Sequence, residues 1–284
     1  MIKTIGFIGQ GWIGKNYADW YEQKGFPIVR YGLEPKYAAN KKKIAGCDLV
    51  YIAVPTPSKP DHGFDDSVLQ SVIKLVGVGK TALIKSTIIP GTTRKLQKLY
   101  PDRTVLFSPE ILTEATAAYD VAHPSRNIIG YTDEKDIALC KEVLAVLPAA
   151  PYTAILRAEE AELIKYGGNC WFYFKVLFIN TLYDMAQKQG LDYAKIKEAL
   201  AADPRIGATH LDPVHHSGRG AGGHCFIKDF EAYRREYMKL FPEDTVTHEF
   251  LSAAVKKNLQ LLNDSGKDDR LVREVYGDSK QLPL

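Results

Sequence analysis

From Lys3 to about Ala150 the chain alternates short apolar, β-branched runs with stretches whose apolar residues recur at helical spacing. The runs are TIGFIG, PIVRYGL, DLVYIAV, TALIKST, VLFSPE and NIIGY, and the spacing predicts a helix over Ile13–Lys24 between the first two. Such alternation builds βαβ units, hence a parallel sheet covered on both faces. DLVYIAV and ALIKST are apolar or β-branched almost throughout, as interior strands are. Beyond Arg157 the pattern becomes helical. A long segment carries apolar or aromatic residues at Leu163, Ile164, Cys170, Trp171, Phe174, Leu177, Phe178 and Leu182. So much of its circumference is apolar that it is expected to lie buried between domains or against a second subunit. Gly190 ends it as a C′ residue would, and LDYAKIKEALAAD supplies another amphipathic helix. A loop rich in Gly, Pro and His runs from Asp203 to His224. One or two helices follow from Asp229 to about Leu262.

The predicted fold is therefore α/β: a doubly wound parallel sheet over residues 1–155, an all-α domain over 156–265 built on the long helix, and a loosely held polar tail over 266–284.

The first strand runs straight into Gly9-Gln10-Gly11-Trp12-Ile13-Gly14, a GxGxxG turn opening a helix. In that context it is a dinucleotide-binding fingerprint of the Rossmann type. Gly9 makes the tight turn, Gly11 admits a pyrophosphate to the helix N-terminus, and Gly14 lets helix and strand pack closely. The acidic residue expected on the adenosine ribose is displaced: Gly32 stands where an aspartate is usual, and Glu34, two residues on, is the candidate. Arg30 and Lys36 nearby leave recognition of a 2′-phosphate open, with NAD preferred. A second glycine-rich stretch, GRGAGGHCFIKD at 218–229, places Cys225 behind four glycines and before Lys228. Glycines there let backbone approach a bound ligand, and Lys228 with the flanking amides favours a thiolate. A glycine-rich turn holding an ordinary cysteine is the plain alternative.

Composition narrows the function classes. Lys and Arg number 37 against 34 acids, a net charge of +3, too little for a nucleic-acid footprint, and Lys41–Lys43 reads as a solvated helix face. The four cysteines, at 47, 140, 170 and 225, have no metal-ligand spacing, so reduced thiols and no metal site are expected. The opening MIKTIGFIGQGWIG leaves no room for a cleavable secretion segment, and no apolar stretch approaches the ~20 residues of a membrane span. A soluble, cytoplasmic protein is expected.

Four further stretches complete a pattern: VPTP at 54–57, STIIPGTT at 86–93, SPEILTEATAAYDVAHPSRNIIG at 108–130 and EAELIKYGGNCWFYFK at 160–175. With the cysteine loop they resemble, in order and spacing across residues 1–262, the UDP-glucose/GDP-mannose dehydrogenase family. That resemblance implies oxidation of the C6 alcohol of a nucleotide-linked hexose to the carboxylate, with two NAD molecules and an essential cysteine. It implies that Cys225 attacks the C6 aldehyde, giving a thiohemiacetal and then a thioester. It further implies that Lys165 and Asn169, one turn apart on a helix face, stabilise the oxyanion. Glu110 would act in thioester hydrolysis through water held by Thr87 and Asp229. Val54, Pro55, Thr56, Thr87 and Lys228 join the fingerprint and Glu34 as cofactor contacts. Glu114, Arg126, Lys165, Asn169, Arg205 and Gly222 fall on substrate-binding positions, Arg205 reaching a neighbouring subunit in a homodimer.

Each assignment has a plain alternative. Lys165 would be a surface lysine, Glu110 a turn cap, Thr87 a strand end, Asp229 the N-cap of a helix DFEAYRREYMKL, and Arg205 an exposed loop residue. The family's usual third domain is not in these 284 residues, so a separate chain supplying it is one expectation. His224, Ile227, Ile89 and Ala115 depart from the family's usual residues and bear on sugar identity. Two other functions stay open: a two-electron dehydrogenase of the 3-hydroxyacid type, and a cofactor-binding, non-catalytic subunit.

Overall fold

The computed structural model describes residues 1–60 and 63–277, the side chains of Glu114 and His224 excepted. The chain divides into two compact units, one of residues 1–57 and 65–165, the other of 58–64 and 166–284.

In the first unit β1 (Ile5–Ile8) feeds α1 (Trp12–Gln23), followed by β2 (Ile28–Tyr31), α2 (Pro35–Ala38) and β3 (Leu49–Ile52). The short strands β4 (Ser58–Lys59) and β5 (Gly63–Phe64) form an antiparallel hairpin that belongs to the second unit. Then come α3 (Ser67–Ile73), β6 (Thr81–Ile84), α4 (Thr92–Leu99), β7 (Thr104–Phe107), α5 (Ala117–Ala122), β8 (Asn127–Tyr131), α6 (Ile137–Val146) and β9 (Thr153–Arg157). Among the described residues the strands of this unit make one seven-stranded sheet in the order β2-β1-β3-β6-β7-β8-β9. Ile5 lies opposite both Ile28 and Leu49. Strand order therefore reverses at β1, and the crevice beyond the carboxyl ends of β1 and β3 is where such sheets bind ligands.

The interior strands are apolar because both faces are covered: every residue of β1, β3 and β6 is buried. Phe7 stacks on Tyr51, and the Tyr51 hydroxyl shares a 2.6 Å hydrogen bond with that of Tyr21 on α1. The sheet differs from the all-parallel expectation at one place. β8 runs antiparallel to β7 at Phe107–Gly130, and β9, which the sequence pattern had not marked as a strand, pairs parallel to β8.

The helix α7 (Ala158–Lys188) begins in the first unit and continues through the second. The second unit adds α8 (Tyr193–Ala201), a hairpin of β10 (Val214–His215) and β11 (Gly218–Arg219), then α9 (Gly223–Leu240), α10 (Thr245–Asp264) and α11 (Asp269–Tyr276). Its core forms around Tyr173, whose ring stacks on Phe230 at 3.9 Å, with Leu251, Val255 and Leu261 packed alongside. The polar tail expected from residue 266 is corrected as far as Tyr276. Val275 of α11 packs on Ile227 and Leu262, which supplies the apolar anchor that the segment's composition hid. Residues 278–284 of that tail lie outside the described residues.

Candidate active-site residues

At the fingerprint turn, Gly9 has φ +92, and a Cβ there would sit 2.1 Å from the carbonyl oxygen of Ala53; a Cβ on Gly14 would sit 2.0 Å from that of Gly9. These two glycines are fixed by backbone packing. Gly11 is different: nothing lies within 4 Å of its would-be Cβ, and it N-caps α1 without any side-chain cap. The start of α1 is therefore open at Gly11 and carries no side-chain cap, and the first amides of a helix are where a pyrophosphate binds. Beside them Gln10 Oε1 is buried without a hydrogen-bond partner. Glu34 is exposed, and its carboxylate folds back over Gly32, where a Cβ would meet Oε2 at 2.3 Å. The acid thus fills the space an aspartate side chain at position 32 would take. These residues fit a dinucleotide.

The ends of β3 and β6 are tied together. Ser86 Oγ accepts from the amide of Val54 at 2.9 Å, and the Thr56 hydroxyl donates to the carbonyl of Thr87 at 2.7 Å. Pro55 is exposed between them. This linkage holds VPTP against the STIIPGTT loop, setting the position of Thr87.

Glu110 is buried, which the turn-cap alternative only half describes. Its Oε1 accepts from the amides of Ile111 and Leu112 at 2.7 and 2.8 Å, while Oε2 is buried with no partner. It lines a cavity of about 150 Å³ with Tyr17, Lys85, Ser108, Arg126 and Asn127. Arg126 Nε is likewise buried and without a partner. Two polar atoms without partners thus belong to residues lining a polar cavity with room for several waters.

Sequence reasoning missed Lys85, which lines the same cavity. It is buried, donates to the Tyr17 hydroxyl at 3.1 Å and lies 4.5 Å from that ring's centroid. Burial depresses its pKa, the Glu110 charge opposes that, and the Lys165 charge adds to it. A lysine inside the otherwise apolar run TALIKST was the available signal.

Glu162 was also missed, and it orders this region. It is fully buried, and its carboxylate accepts from the amides of Gly91 and Thr93 at 2.6 and 2.8 Å and from the Thr93 hydroxyl at 2.5 Å. Gly91, the N-cap of α4, has no side chain to offer, so Glu162 caps that helix from about 70 residues away. Lys165 lies on the same helix, three residues further on and half-buried.

In the second unit, Asn169 Nδ2 donates to Asp229 Oδ2 at 2.5 Å, and Lys228 Nζ bonds the other carboxylate oxygen. Asp229 is fully buried. It is not an N-cap: α9 begins at Gly223, six residues earlier. Cys225 sits in the first turn of α9 and is exposed, whereas Cys47, Cys140 and Cys170 are buried. Burial pushes the thiols of Cys47 and Cys140 up to about 11, and that of Cys170 higher still. The four cysteines thus divide into three buried ones and one, Cys225, that is exposed at the start of a helix.

Arg205 is an exposed loop residue held bidentately by Asp203, at 2.6 to 3.2 Å. Gly222 faces the chain's own Asp268, 2.0 Å from a would-be Cβ. Glu114 and His224 have side chains outside the described residues. Among the described residues no cluster of His, Cys, Asp or Glu could hold a metal ion, and no helix is long and apolar enough to cross a membrane.

Residues 33–147 match the family model for the NAD-binding domain of the UDP-glucose/GDP-mannose dehydrogenases, and residues 159–260 match the model for their central domain. A UDP-glucose 6-dehydrogenase from Rhizobium meliloti is 32% identical over 230 residues, covering 72% of this chain and 52% of that protein. The chain thus spans about half the length of that curated relative. The fold is similar to that of a UDP-glucose dehydrogenase from the archaeon Pyrobaculum islandicum, with a TM-score of 0.76 at 24% identity over 90% of this chain and 68% of the other. A 3-hydroxyisobutyrate dehydrogenase from Mycobacterium tuberculosis shares the fold at a TM-score of 0.69 and 17% identity, covering 93% of this chain and 95% of that one.

Proposed function

Because the chain belongs to the UDP-glucose/GDP-mannose dehydrogenase family, whose cofactor is NAD, we propose that it oxidises the C6 alcohol of a nucleotide-linked hexose to the uronic acid in two successive two-electron steps. The Gly9–Gly14 turn would hold NAD with Glu34 on the ribose, and the bound cofactor would supply the hydride acceptor for both steps. The chain's own residues do the rest. Loss of hydride from C6 and a proton from its hydroxyl leaves an aldehyde, and the Cys225 thiolate adds to the carbonyl carbon to form a thiohemiacetal. Loss of the second hydride together with the thiohemiacetal's hydroxyl proton leaves a thioester, and water then adds to its carbonyl carbon and the C–S bond breaks, releasing the carboxylate, a proton and the thiol.

The charge that develops on C6 oxygen calls for a preorganised cation and amide donors, a role that falls to Lys165 and Asn169. Asp229 holds the Asn169 amide in place. Hydrolysis calls for a base beside water, a role assigned to Glu110, which lines a polar cavity and has Oε2 without a partner. Thr87 and Asp229 are assigned to holding the hydrolytic water, and Arg126 and Glu114 to shaping substrate binding. Arg205 is paired to Asp203 and would have to leave that carboxylate to reach a neighbouring subunit's substrate.

The observation that carries the reading is the division among thiols: three are buried, and Cys225 is exposed in the first turn of a helix behind four glycines. It favours covalent chemistry over the two-electron 3-hydroxyacid alternative, which needs no cysteine. The test is incubation with NAD and a panel of UDP- and GDP-hexoses. Two NADH per sugar are expected, with Cys225→Ala inactive. One NADH per substrate, or full activity in Cys225→Ala, refutes it; NAD binding without turnover until a second chain is added would indicate the non-catalytic subunit.

A homodimer belongs to the same proposal. Trp171, Phe178 and Met185 are exposed on α7 at seven-residue spacing, a stripe about 20 Å long. An apolar stripe of that length at coiled-coil spacing suits a second copy of the same helix. Residence in the cytoplasm is part of the proposal.

A further inference from the structure

The glycines before Cys225 press on the chain's own C-terminal segment. A Cβ on Gly218 would lie 2.4 Å from Ser265 Oγ, one on Gly222 2.0 Å from Asp268 Oδ2 and 2.7 Å from Lys267 Cε, and one on Gly220, at φ +89, 3.1 Å from Asn258 Oδ1. The same segment takes up the loop's backbone groups. Asn258 accepts from the Ala221 amide at 2.7 Å and donates to its carbonyl at 3.0 Å. Ser265 Oγ accepts from the Arg219 amide at 3.0 Å. Buried Lys267 donates to the carbonyls of Gly218 and Gly220 at 3.3 and 3.1 Å. Asp268 Oδ2 accepts from the Gly223 amide at 2.7 Å.

The last bond replaces one the loop cannot make. Gly222 is the N-cap of α9 and has no side chain, so the first orphan amide of the helix is capped by an acid 45 residues away. Asp268 does this from φ +58, a left-handed conformation uncommon for a non-glycine residue. The segment is fastened on both sides, by α10 before it and by Val275 of α11, which packs on Ile227 of α9. Cys225 stands two residues beyond the capped amide.

We propose that Lys267 and Asp268 are positioning residues for Cys225: they lock the glycine loop and the first turn of α9 so that the thiol is presented in one geometry. The proposal rests on the reading of Cys225 as the nucleophile. Its action is geometric, since the pair brings one charge of each sign to the loop.

The test uses the full chain. Because Cys47, Cys140 and Cys170 are buried, iodoacetamide reports on Cys225, and amide exchange at 218–225 reports on the loop without any substrate. Asp268→Gly removes the acceptor while relieving the left-handed backbone, so it should fold. It should speed exchange of the Gly223 amide by at least about tenfold, the size of one lost charged hydrogen bond. Turnover with the accepted nucleotide sugar should fall on the order of 10- to 100-fold in kcat, the scale for a misplaced reacting group, with KM for NAD unchanged. Lys267→Met should act alike. Asp268→Asn keeps both the acceptor and the tolerance for φ +58, and should restore most of the lost exchange protection and turnover, with the iodoacetamide rate at Cys225 back at the wild-type value. Unchanged exchange in Asp268→Gly overturns the proposal, and so does Asp268→Asn behaving like Asp268→Gly, which would make the effect one of charge. Full turnover in Cys225→Ala would instead overturn the nucleophile reading.

Discussion

Replacing Glu162 tests how the first unit is held together around Lys165. The carboxylate is fully buried and accepts three hydrogen bonds, two of them from the amides of Gly91 and Thr93 at the start of α4. Glu162→Ala strands both amides in a protein interior, at ~1–3 kcal/mol for each unsatisfied group. The released desolvation cost of the carboxylate offsets part of that. A net loss of about 3 kcal/mol is expected. Glu162→Gln keeps one acceptor oxygen and should lose about 1 kcal/mol. The assay is urea unfolding followed by tryptophan fluorescence in a Trp171→Phe background, where the remaining tryptophans, Trp12 and Trp20, both report on the first unit. The pH dependence gives a second reading. Burial raises the Glu162 pKa, with the three hydrogen bonds opposing. A folded pKa above the unfolded one means that the group's contribution is fully present below the unfolded value and is lost as pH rises through the raised value. The glutamine variant has no such loss, so its deficit relative to wild type should shrink as pH rises through that window. A Glu162→Ala cost below ~0.5 kcal/mol, the level of a neutral surface change, refutes the capping argument.

Other outcomes follow from the same geometry. Gly14→Ala places a Cβ 2.0 Å from backbone and should lower the unfolding free energy by about 3 kcal/mol, whereas Gly11→Ala, whose Cβ meets open space, should unfold like wild type yet bind NAD at least about tenfold more weakly by calorimetry, the result expected if the pyrophosphate is taken up at that turn. Burial lowers the Lys85 pKa, so the folded state binds fewer protons than the unfolded one and wild-type stability should rise as pH climbs toward the ordinary lysine value; Lys85→Met should lack that rise in urea titrations, and an identical pH profile would refute it. If α7 pairs as proposed, wild type should run as a dimer by light scattering and Trp171→Glu with Phe178→Glu as a monomer, with unfolding no longer dependent on protein concentration.

Much of the first unit was legible because its signals are local. Alternating apolar runs gave the interior strands, and the GxGxxG turn sits directly between β1 and α1. The edge was harder. β8 was marked by its apolar run NIIGY but not its antiparallel direction, and β9 carries a mixed pattern, since Thr153 and Arg157 at its two ends are exposed and the strand between them is only half-buried. Residues with a sequence motif around them, such as Glu110 and Asn169, could be named as candidates. Lys85, Tyr17 and Glu162 were not, because their importance comes from partners that chain spacing does not reveal: the Tyr17 hydroxyl is 68 residues from Lys85, and Glu162 caps a helix that starts near residue 92.

The cysteine loop shows what that non-locality does to inference. Four glycines ahead of a cysteine read naturally as space for a ligand, because only glycine lets backbone come so near a bound molecule. In the fold, Gly218, Gly220 and Gly222 instead admit Ser265, Asn258 and Asp268, and one glycine, Gly223, has open space where its Cβ would be. The two readings differ in what they demand of evolution. A ligand constrains the loop alone, whereas an internal clamp constrains the loop and the segment 258–268 together. A bulky residue at Gly222 should therefore be tolerated only with a smaller residue at 268, and Gly222→Ala combined with Asp268→Gly should recover stability that Gly222→Ala alone loses. The pair should be non-additive by about 1 kcal/mol or more in a double-mutant cycle, while additive costs would return that glycine to the ligand.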